Sequence, residues 1–263
     1  MVVFPEAVQK YAREQRLSLQ DAAQVFLQTI VLKHLSAPRA VFMGGTALVL
    51  GYGNPRFSED VDLTQVSNPL LLKPGLEKSA AEAAAWLNAS AKLMAPKPQG
   101  RTWRMTLRWG RADSLSLHVD SQVHPAYSSQ AILLTYPSIP AFVCMTMGLD
   151  EILAEKMLAV AYRRYLGGRD LFDLWFHLSK EPDLKARLSR VEEYTRKKLR
   201  DRKLDRTDFE ERLQERLSHP GSLTRARQEW ARYLPTELQK PALFQSILTF
   251  VAKLPEVMCR ELG

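Results

Sequence analysis

The sequence predicts an α/β first half followed by an all-helical second half, with the change near residue 145. Three observations predict it. Alternation at strand period is confined to the first half of the chain. A short apolar run there ends in paired glycines and passes into an apolar helix. From Leu149 onward the apolar spacing is helical almost to the end.

In chain order, residues 5–35 read as two helices. Ser18 with Asp21 resembles a capping signal, and Ala22, Phe26, Ile30 and Leu32 supply the apolar spacing. Residues 40–43 (AVFM) read as a buried strand ended by the turn Gly44-Gly45, and Thr46 opens a short apolar helix. Residues 51–56 read as a loop. Residues 58–64 (SEDVDLT) read as a strand with Val61 and Leu63 on one face and Ser58, Asp60 and Asp62 on the other. An Ala-rich helix is expected over 75–93. Over 102–109, Trp103, Met105, Leu107 and Trp109 share one face, and Arg104, Thr106 and Arg108 the other. Over 114–120, Leu115, Leu117 and Val119 oppose Ser116, His118 and Asp120. A last run, 131–136, ends at Pro137. Three to five strands are therefore expected in a domain spanning residues 1–145, with a helical domain over 146–263. There is no internal repeat or low-complexity tract.

Composition narrows the class. The chain has 263 residues, a net charge of +8, 46% apolar and 25% charged residues, which excludes a disordered polymer and leaves ample material for a core. Cys144 and Cys259 cannot make a disulfide framework, and the scattered histidines form no Cys/His zinc pattern. The N-terminus lacks a basic start followed by an apolar core, so no signal peptide is read there, and no apolar run approaches the ~20 residues of a membrane span. No membrane association is expected, and a reducing cytoplasm is the expected compartment. The positive charge permits a polyanionic partner without establishing one.

The chemistry concentrates in residues 42–65. Gly44 and Gly45 let the backbone turn closely after a strand, with amides free to face an anion. Thr46 adds a hydroxyl near a helix start, where phosphate is favourably held. Asp60 and Asp62, two apart on a strand, point the same way and repel unless a divalent cation sits between them. Oxygen-only ligands beside a substrate phosphate suit Mg²⁺ or Mn²⁺. Asp120, on the polar face of another strand, is placed to supply a third carboxylate. Ser58 either meets a phosphate or hydrogen-bonds within its strand. Such a set fits two-metal phosphoryl transfer.

The ordered combination FMGGTALVLGYGNPRFSEDVDLTQ resembles motif I of the polymerase-β-like nucleotidyltransferases. More closely, it is similar to the AbiEii/AbiGii family of abortive-infection nucleotidyltransferase toxins, in which a GGTAL turn and an R-x-S-x-D-x-D-L strand recur. The resemblance continues in Ala154-Glu155-Lys156 and in Arg169-Asp170-Leu171-Phe172-Asp173-Leu174, which match the family's A-E-K helix and R-D-x-x-D-L segment. It covers residues 40–178 well and fades beyond 180.

The resemblance implies an α+β nucleotidyltransferase domain with a small mixed sheet, completed by a helical domain that closes the active-site cleft. It implies a toxin paired with an antitoxin, an NTP substrate (CTP or another pyrimidine nucleotide) and a divalent metal. The acceptor it implies is RNA, with the tRNA 3′ end as target and translation as the process blocked. Arg56, Ser58 and Arg169 are expected at the nucleotide on the same ground.

The residues of the second segment carry their own reading. Leu149, Ile152, Leu153, Met157 and Val160 make one apolar helix face, and Lys156 and Arg164 lie within it. A lysine there either snorkels or meets an anion in a cleft, and the expectation with motif I present is a nucleotide phosphate. Asp170 and Asp173 lie i, i+3 on one helix edge, with Arg169 i, i+4 from Asp173. Either aspartate orients the lysine, activates the attacking hydroxyl, or forms a structural pair with Arg169. Asp120 is the other group placed to assist deprotonation or complete metal coordination. Asp60→Asn and Lys156→Ala are each expected to abolish transfer with little loss of folding.

The basic residues are uneven. Lys92, Lys97, Arg101, Arg104, Arg108 and Arg111 lie in a stretch, 83–112, that has no acid, and residues 185–206 hold ten basic and four acidic residues. Both stretches read as tracks for RNA phosphates or as solvated faces. Arg104 and Arg108 are placed to line the cleft of the carboxylates. Two other readings stay open: transfer to a protein or a small molecule such as an aminoglycoside, and an inactive module that binds RNA or an antitoxin. The oligomeric state is not legible.

Overall fold

A computed structural model describes residues 4–35, 39–110 and 113–260, with side chains described to residue 254. Arg111, part of the basic stretch, and the first three residues of the N-terminus lie outside the described residues, as does the Cys259 side chain. The chain forms two compact units, residues 1–51 with 59–147, and residues 52–58 with 148–263.

The first unit is built on a seven-stranded mixed sheet. Its strands are β1 (Val41–Met43), β2 (Val61–Thr64), β3 (Ser90–Met94), β4 (Thr102–Trp109), β5 (Asp113–Ser121), β6 (Ser129–Tyr136) and β7 (Ile139–Met147), in the order β3-β4-β5-β2-β1-β7-β6. Two pairings, β1 with β7 and β2 with β5, are parallel and the rest antiparallel. Helices α1 (Glu6–Gln15) and α2 (Leu19–Lys33) precede the sheet, and α3 (Gly44–Tyr52) and α4 (Lys73–Leu87) interrupt it. Ser18 caps α2 by accepting from the Asp21 amide. Helix α2 is buried along most of its length, and its Gln24 donates to the carbonyls of Glu59 and Ser116. Trp103, Met105 and Leu107 of β4 and Leu117 and Val119 of β5 lie in the core, while Arg104 and Arg108 are exposed.

Two strands go beyond the sequence reading. The helix expected to reach residue 93 stops at Leu87, because Asn88 adopts the left-handed conformation and ends it, and β3 follows as an exposed edge strand. Strand β7 follows a tight turn at Ser138 (φ 66°) and carries Pro140 near its start, which hides it from an alternation count. The strand expected over 58–64 begins only at Val61, because residues 52–58 belong to the helical unit.

That second unit contains α5 (Leu149–Tyr162), α6 (Gly168–Leu178), α7 (Leu184–Asp201), α8 (Arg206–Ser218), α9 (Pro220–Tyr233) and α10 (Pro241–Arg260). Leu153, Met157, Phe172, Leu188, Leu213, Trp230 and Val251 belong to one continuous core. Residues 52–58 are fastened to it by the Phe57 amide, which donates to the Tyr233 carbonyl at 2.8 Å, and by Arg56, which reaches Asp173. No described helix is long and apolar enough to cross a membrane.

Candidate active site

In the first unit the two ends of motif I dock directly on each other. Strands β1 and β2 pair antiparallel with Met43 opposite Asp62, which lays the Asp62 side chain over the turn that follows β1. Gly44 sits at φ +79°, and a Cβ there would overlap the Asp62 carboxylate. Glycine is thus required twice, for the backbone and for the close approach. Thr46, expected to face a phosphate, is buried and donates its hydroxyl to the Asp60 carbonyl instead. It positions Asp60 from α3, which opens at the Gly44-Gly45 turn.

Asp62 lies in register with Asp120 across the parallel pair β2–β5, and Asp120 Oδ1 accepts from the Thr102 hydroxyl. Asp60, just before β2, meets His118 Nδ1 at 3.3 Å. Burial raises the Asp60 carboxyl above the usual carboxylate range; Asp120 and Glu59 add to that and His118 opposes it. The three aspartates therefore share one polar sheet face. That face continues through Arg104, opposite His118, to Lys92, opposite Thr106. His118 was legible only as a residue on the polar side of its strand; its contact with Asp60 depends on the β2–β5 pairing.

Asp60, Asp62 and Asp120 offer the all-oxygen donors that suit a hard divalent cation. Among the described residues, no three His, Cys, Asp or Glu side chains are grouped closely enough to hold a metal ion by themselves. Oxygens from a substrate would be needed to complete the coordination, as is usual for Mg²⁺.

The second unit holds a buried ion-pair chain. Lys156 Nζ meets Asp170 Oδ1 at 2.7 Å and Asp173 Oδ2 at 2.8 Å. Asp173 also accepts from Arg56 Nε (2.5 Å) and Nη2 (2.8 Å) and from Asn54 Nδ2 (2.9 Å), and Asp170 Oδ2 accepts from Arg163 (2.6 Å). Both aspartates are fully buried and the lysine nearly so. Burial alone would raise the Asp170 carboxyl, but Lys156, Arg163 and Arg169 outweigh it and hold it at about 2. Asp173 is likewise held low, with Arg56 and Lys156 overcoming its burial. Carboxylates so tied are poor proton acceptors, so the arrangement favours the reading in which they orient the lysine.

Three expectations change here. Arg56, expected at a nucleotide, is buried and spends its guanidinium on Asp173 and the Phe57 carbonyl. Arg169, expected at the nucleotide or, alternatively, in a pair with Asp173, meets Glu229 and the Tyr233 ring, while Arg56 and Lys156 occupy the aspartate. Ser58 stands before β2, in the segment that belongs to the helical unit, and not on the strand face of Asp60 and Asp62. Asn54, which sequence reasoning passed over, bridges Asp173 and His177. Burial pushes the His177 imidazole down to about 4, so this shell is neutral at His177 near pH 7.

The basic stretch 185–206 is largely consumed by pairing. Lys198 meets Glu151 and Glu155, Arg202 meets Glu155, Arg187 and Arg190 meet Asp150, and Arg206 meets Glu192. Glu155 of the A-E-K helix thus anchors α7 to α5. Much of this helix charge stabilises the unit instead of facing solvent as a track.

Two stability predictions follow from these contacts. Gly44→Ala is expected to cost about 1–2 kcal/mol from the left-handed backbone alone and to displace Asp62. Transfer activity should then fall further than thermal unfolding of the same variant explains. Asp170 is held at about 2 in the folded chain, against about 3.9 for an unfolded aspartate. Its depressed value means the stabilisation is complete above about pH 4 and fades as pH falls toward 2. Denaturant midpoints measured down that range should decline less steeply in Asp170→Asn than in the parent.

The mixed sheet followed by helices is a fold shared with solved nucleotidyltransferase structures. MenT4, a nucleotidyltransferase toxin from Mycobacterium tuberculosis, superposes with a TM-score of 0.61 at 18% identity, covering 95% of this chain and 89% of its own. Two Helicobacter pylori structures share the fold. One has a TM-score of 0.55 at 19% identity (94% of this chain, 97% of that one), and the other, JHP933, 0.51 at 18% (94% of each). No curated protein sequence matches significantly. Residues 25–250 match the family described as nucleotidyl transferase AbiEii toxin, type IV toxin–antitoxin system. The chain belongs to that family: it is a nucleotidyltransferase toxin, and its family implies an antitoxin partner.

Proposed function

We propose that the protein transfers a nucleoside monophosphate from an NTP to RNA, with the tRNA 3′ end as acceptor, and so blocks translation. The observation that carries this reading is the Asp62 carboxylate seated on Gly44, with Asp60 and Asp120 on the same sheet face. Asp60 and Asp62 would hold Mg²⁺ or Mn²⁺, with Asp120 as a third oxygen donor. When bound, the cation neutralises charge on the transferring α-phosphoryl group and the pyrophosphate leaving group. The first-turn amides of α3 receive phosphate oxygens. Lys156, fixed by Asp170 and Asp173, is the residue expected to meet a phosphate oxygen. Thr46 and His118 position Asp60, and Arg56 and Asn54 position Asp173. The acceptor hydroxyl attacks in line with the leaving group, and positioning and electrostatics supply most of the rate. A pyrimidine nucleotide, CTP among them, is the expected donor.

The test is direct labelling. Purified protein is incubated with total tRNA, a protein extract and each labelled NTP, with Mg²⁺ and with chelator. Label in tRNA with Mg²⁺ alone is the expected result. Label in protein, in a small-molecule fraction, or nowhere would overturn the assignment.

A further inference from the structure

The helical unit contains a cavity of about 640 Å³ that the reaction above does not use. It is lined by Arg163, Arg164, Arg169, Arg225 and Arg232, with Tyr165 and Glu229 among them. The arginines come from two segments, residues 163–169, which run from the α5–α6 turn into the start of α6, and one face of α9. These segments are locked together. A Cβ on Gly168 would overlap the Ala226 carbonyl of α9, and the Gly168 amide donates to Glu229 Oε2 at 2.7 Å. The cavity wall is therefore built into the fold.

Its charge is unlike that of the rest of the unit. On α7 most cations meet an acid; here Arg163 pairs with Asp170 and Arg169 with Glu229, yet five guanidiniums line one void whose single lining carboxylate is Glu229. That carboxylate is already engaged by the Gly168 amide and by Arg169 at 3.5 Å. Arg225 lies over the Tyr165 ring at 3.3 Å and Arg164 at 5.0 Å, and neither has an acidic partner among the described residues. Tyr165 is 42% exposed. Like charges gathered around a cavity repel unless an anion joins them. The planar fork of arginine matches phosphate oxygens in pairs. Guanidiniums spread along two walls suit a repeating anion better than a single one, and a half-exposed ring beside them can stack on a base.

We propose that this cavity is a phosphodiester site that takes the backbone of the RNA acceptor. The inference rests on the reading that the acceptor is RNA, and it assigns the helical unit a share in holding it.

The test uses the full-length protein and the double variant Arg164→Ala/Arg225→Ala, which leaves the Lys156 network untouched. Thermal unfolding and circular dichroism check that both proteins are equally folded. Binding of a fluorescent single-stranded RNA of about 12 nucleotides, within the usual span of single-strand sites, is read by anisotropy without NTP between about 50 and 200 mM salt. The variant should bind at least about tenfold more weakly, with a log–log salt slope shallower by about 1.4, since each lost single-strand phosphate contact removes about 0.7. CTP binding with Mg²⁺, measured by calorimetry, should be unchanged. The pair Arg164→Lys/Arg225→Lys should recover the slope but not the full affinity.

Unchanged RNA binding in the alanine variant would overturn the proposal, as would a wild-type protein that binds no RNA. Loss of CTP binding with RNA binding retained would also overturn it and assign the cavity to a triphosphate. Because binding is read without turnover, a wild-type protein that binds the RNA through these arginines yet labels none contradicts the transfer reaction and leaves the site standing.

Discussion

Asp62→Asn is expected to reduce nucleotide transfer by about 10³-fold or more while leaving the fold in place. The substitution conserves shape, and Asp62 is half-buried at the end of a strand pairing, not inside a core. The amide keeps one oxygen toward the glycine turn but removes the negative charge that would hold a cation. Asp60→Asn should behave alike, because the Thr46 hydroxyl holds Asp60 through its carbonyl and not its carboxylate. Excess Mg²⁺ should restore little activity in either variant. Transfer assays on variants whose thermal midpoints match the parent provide the check, and near-parental activity in both would remove these carboxylates from the reaction. Growth arrest on expression should disappear with the same substitutions.

The readable part of this site is the part written in local spacing. Gly44-Gly45, Asp60 and Asp62 lie within one hairpin-like segment, so strand alternation and a glycine turn suffice to bring them together. Asp120 was placed on the right face by alternation alone, although its neighbour Asp62 is set by a parallel pairing that no spacing rule supplies. The failures are non-local. Sequence points Thr46 at a ligand because nothing in it shows that the Asp60 carbonyl returns to it fourteen residues later. The resemblance points Arg56 at a nucleotide, and its partner in the fold, Asp173, is 117 residues away, beyond any spacing rule. The strands β3 and β7 were missed for the opposite reason, since local signals concealed them. An Ala-rich helix runs up to β3, and an early proline sits in β7.

Charge shows the same division. A sum over residues 185–206 gives a strongly basic segment, yet many of those cations face acids contributed by α5 and by α7 itself. Conversely, the arginines of the cavity lie in two stretches separated by about a quarter of the chain; Arg169 belongs to the R-D-x-x-D-L segment, but no spacing rule brings Arg225 and Arg232 beside it. Where charge gathers is decided by helix packing, which composition does not report.

Lys156→Ala should prove far more destructive to the fold than a surface lysine would be. The sequence alone predicts loss of activity with little loss of folding. The structure revises the second half, because Lys156 bridges two fully buried carboxylates. Removing one partner of a buried pair leaves charge uncompensated, at a typical cost of about 3–5 kcal/mol. Arg163 and Arg56 still hold the far sides of Asp170 and Asp173, which places the expected loss toward the lower end of that range. Each 1 kcal/mol lowers the melting temperature of a 150–250-residue domain by about 2–4 °C, and that of a smaller unit by more, so a fall of at least about 6 °C is expected. A double-mutant cycle isolates the cause. In an Asp170→Asn background, Lys156→Ala should cost distinctly less, because only Asp173 then loses a partner. Equal costs in both backgrounds would mean that the lysine stabilises the unit by packing its stem and not by its charge. Lost transfer in Lys156→Ala therefore carries chemical meaning only when measured well below that variant's own melting temperature. The same loss in Asp62→Asn needs a smaller correction, since that side chain is only half-buried and its shape is conserved.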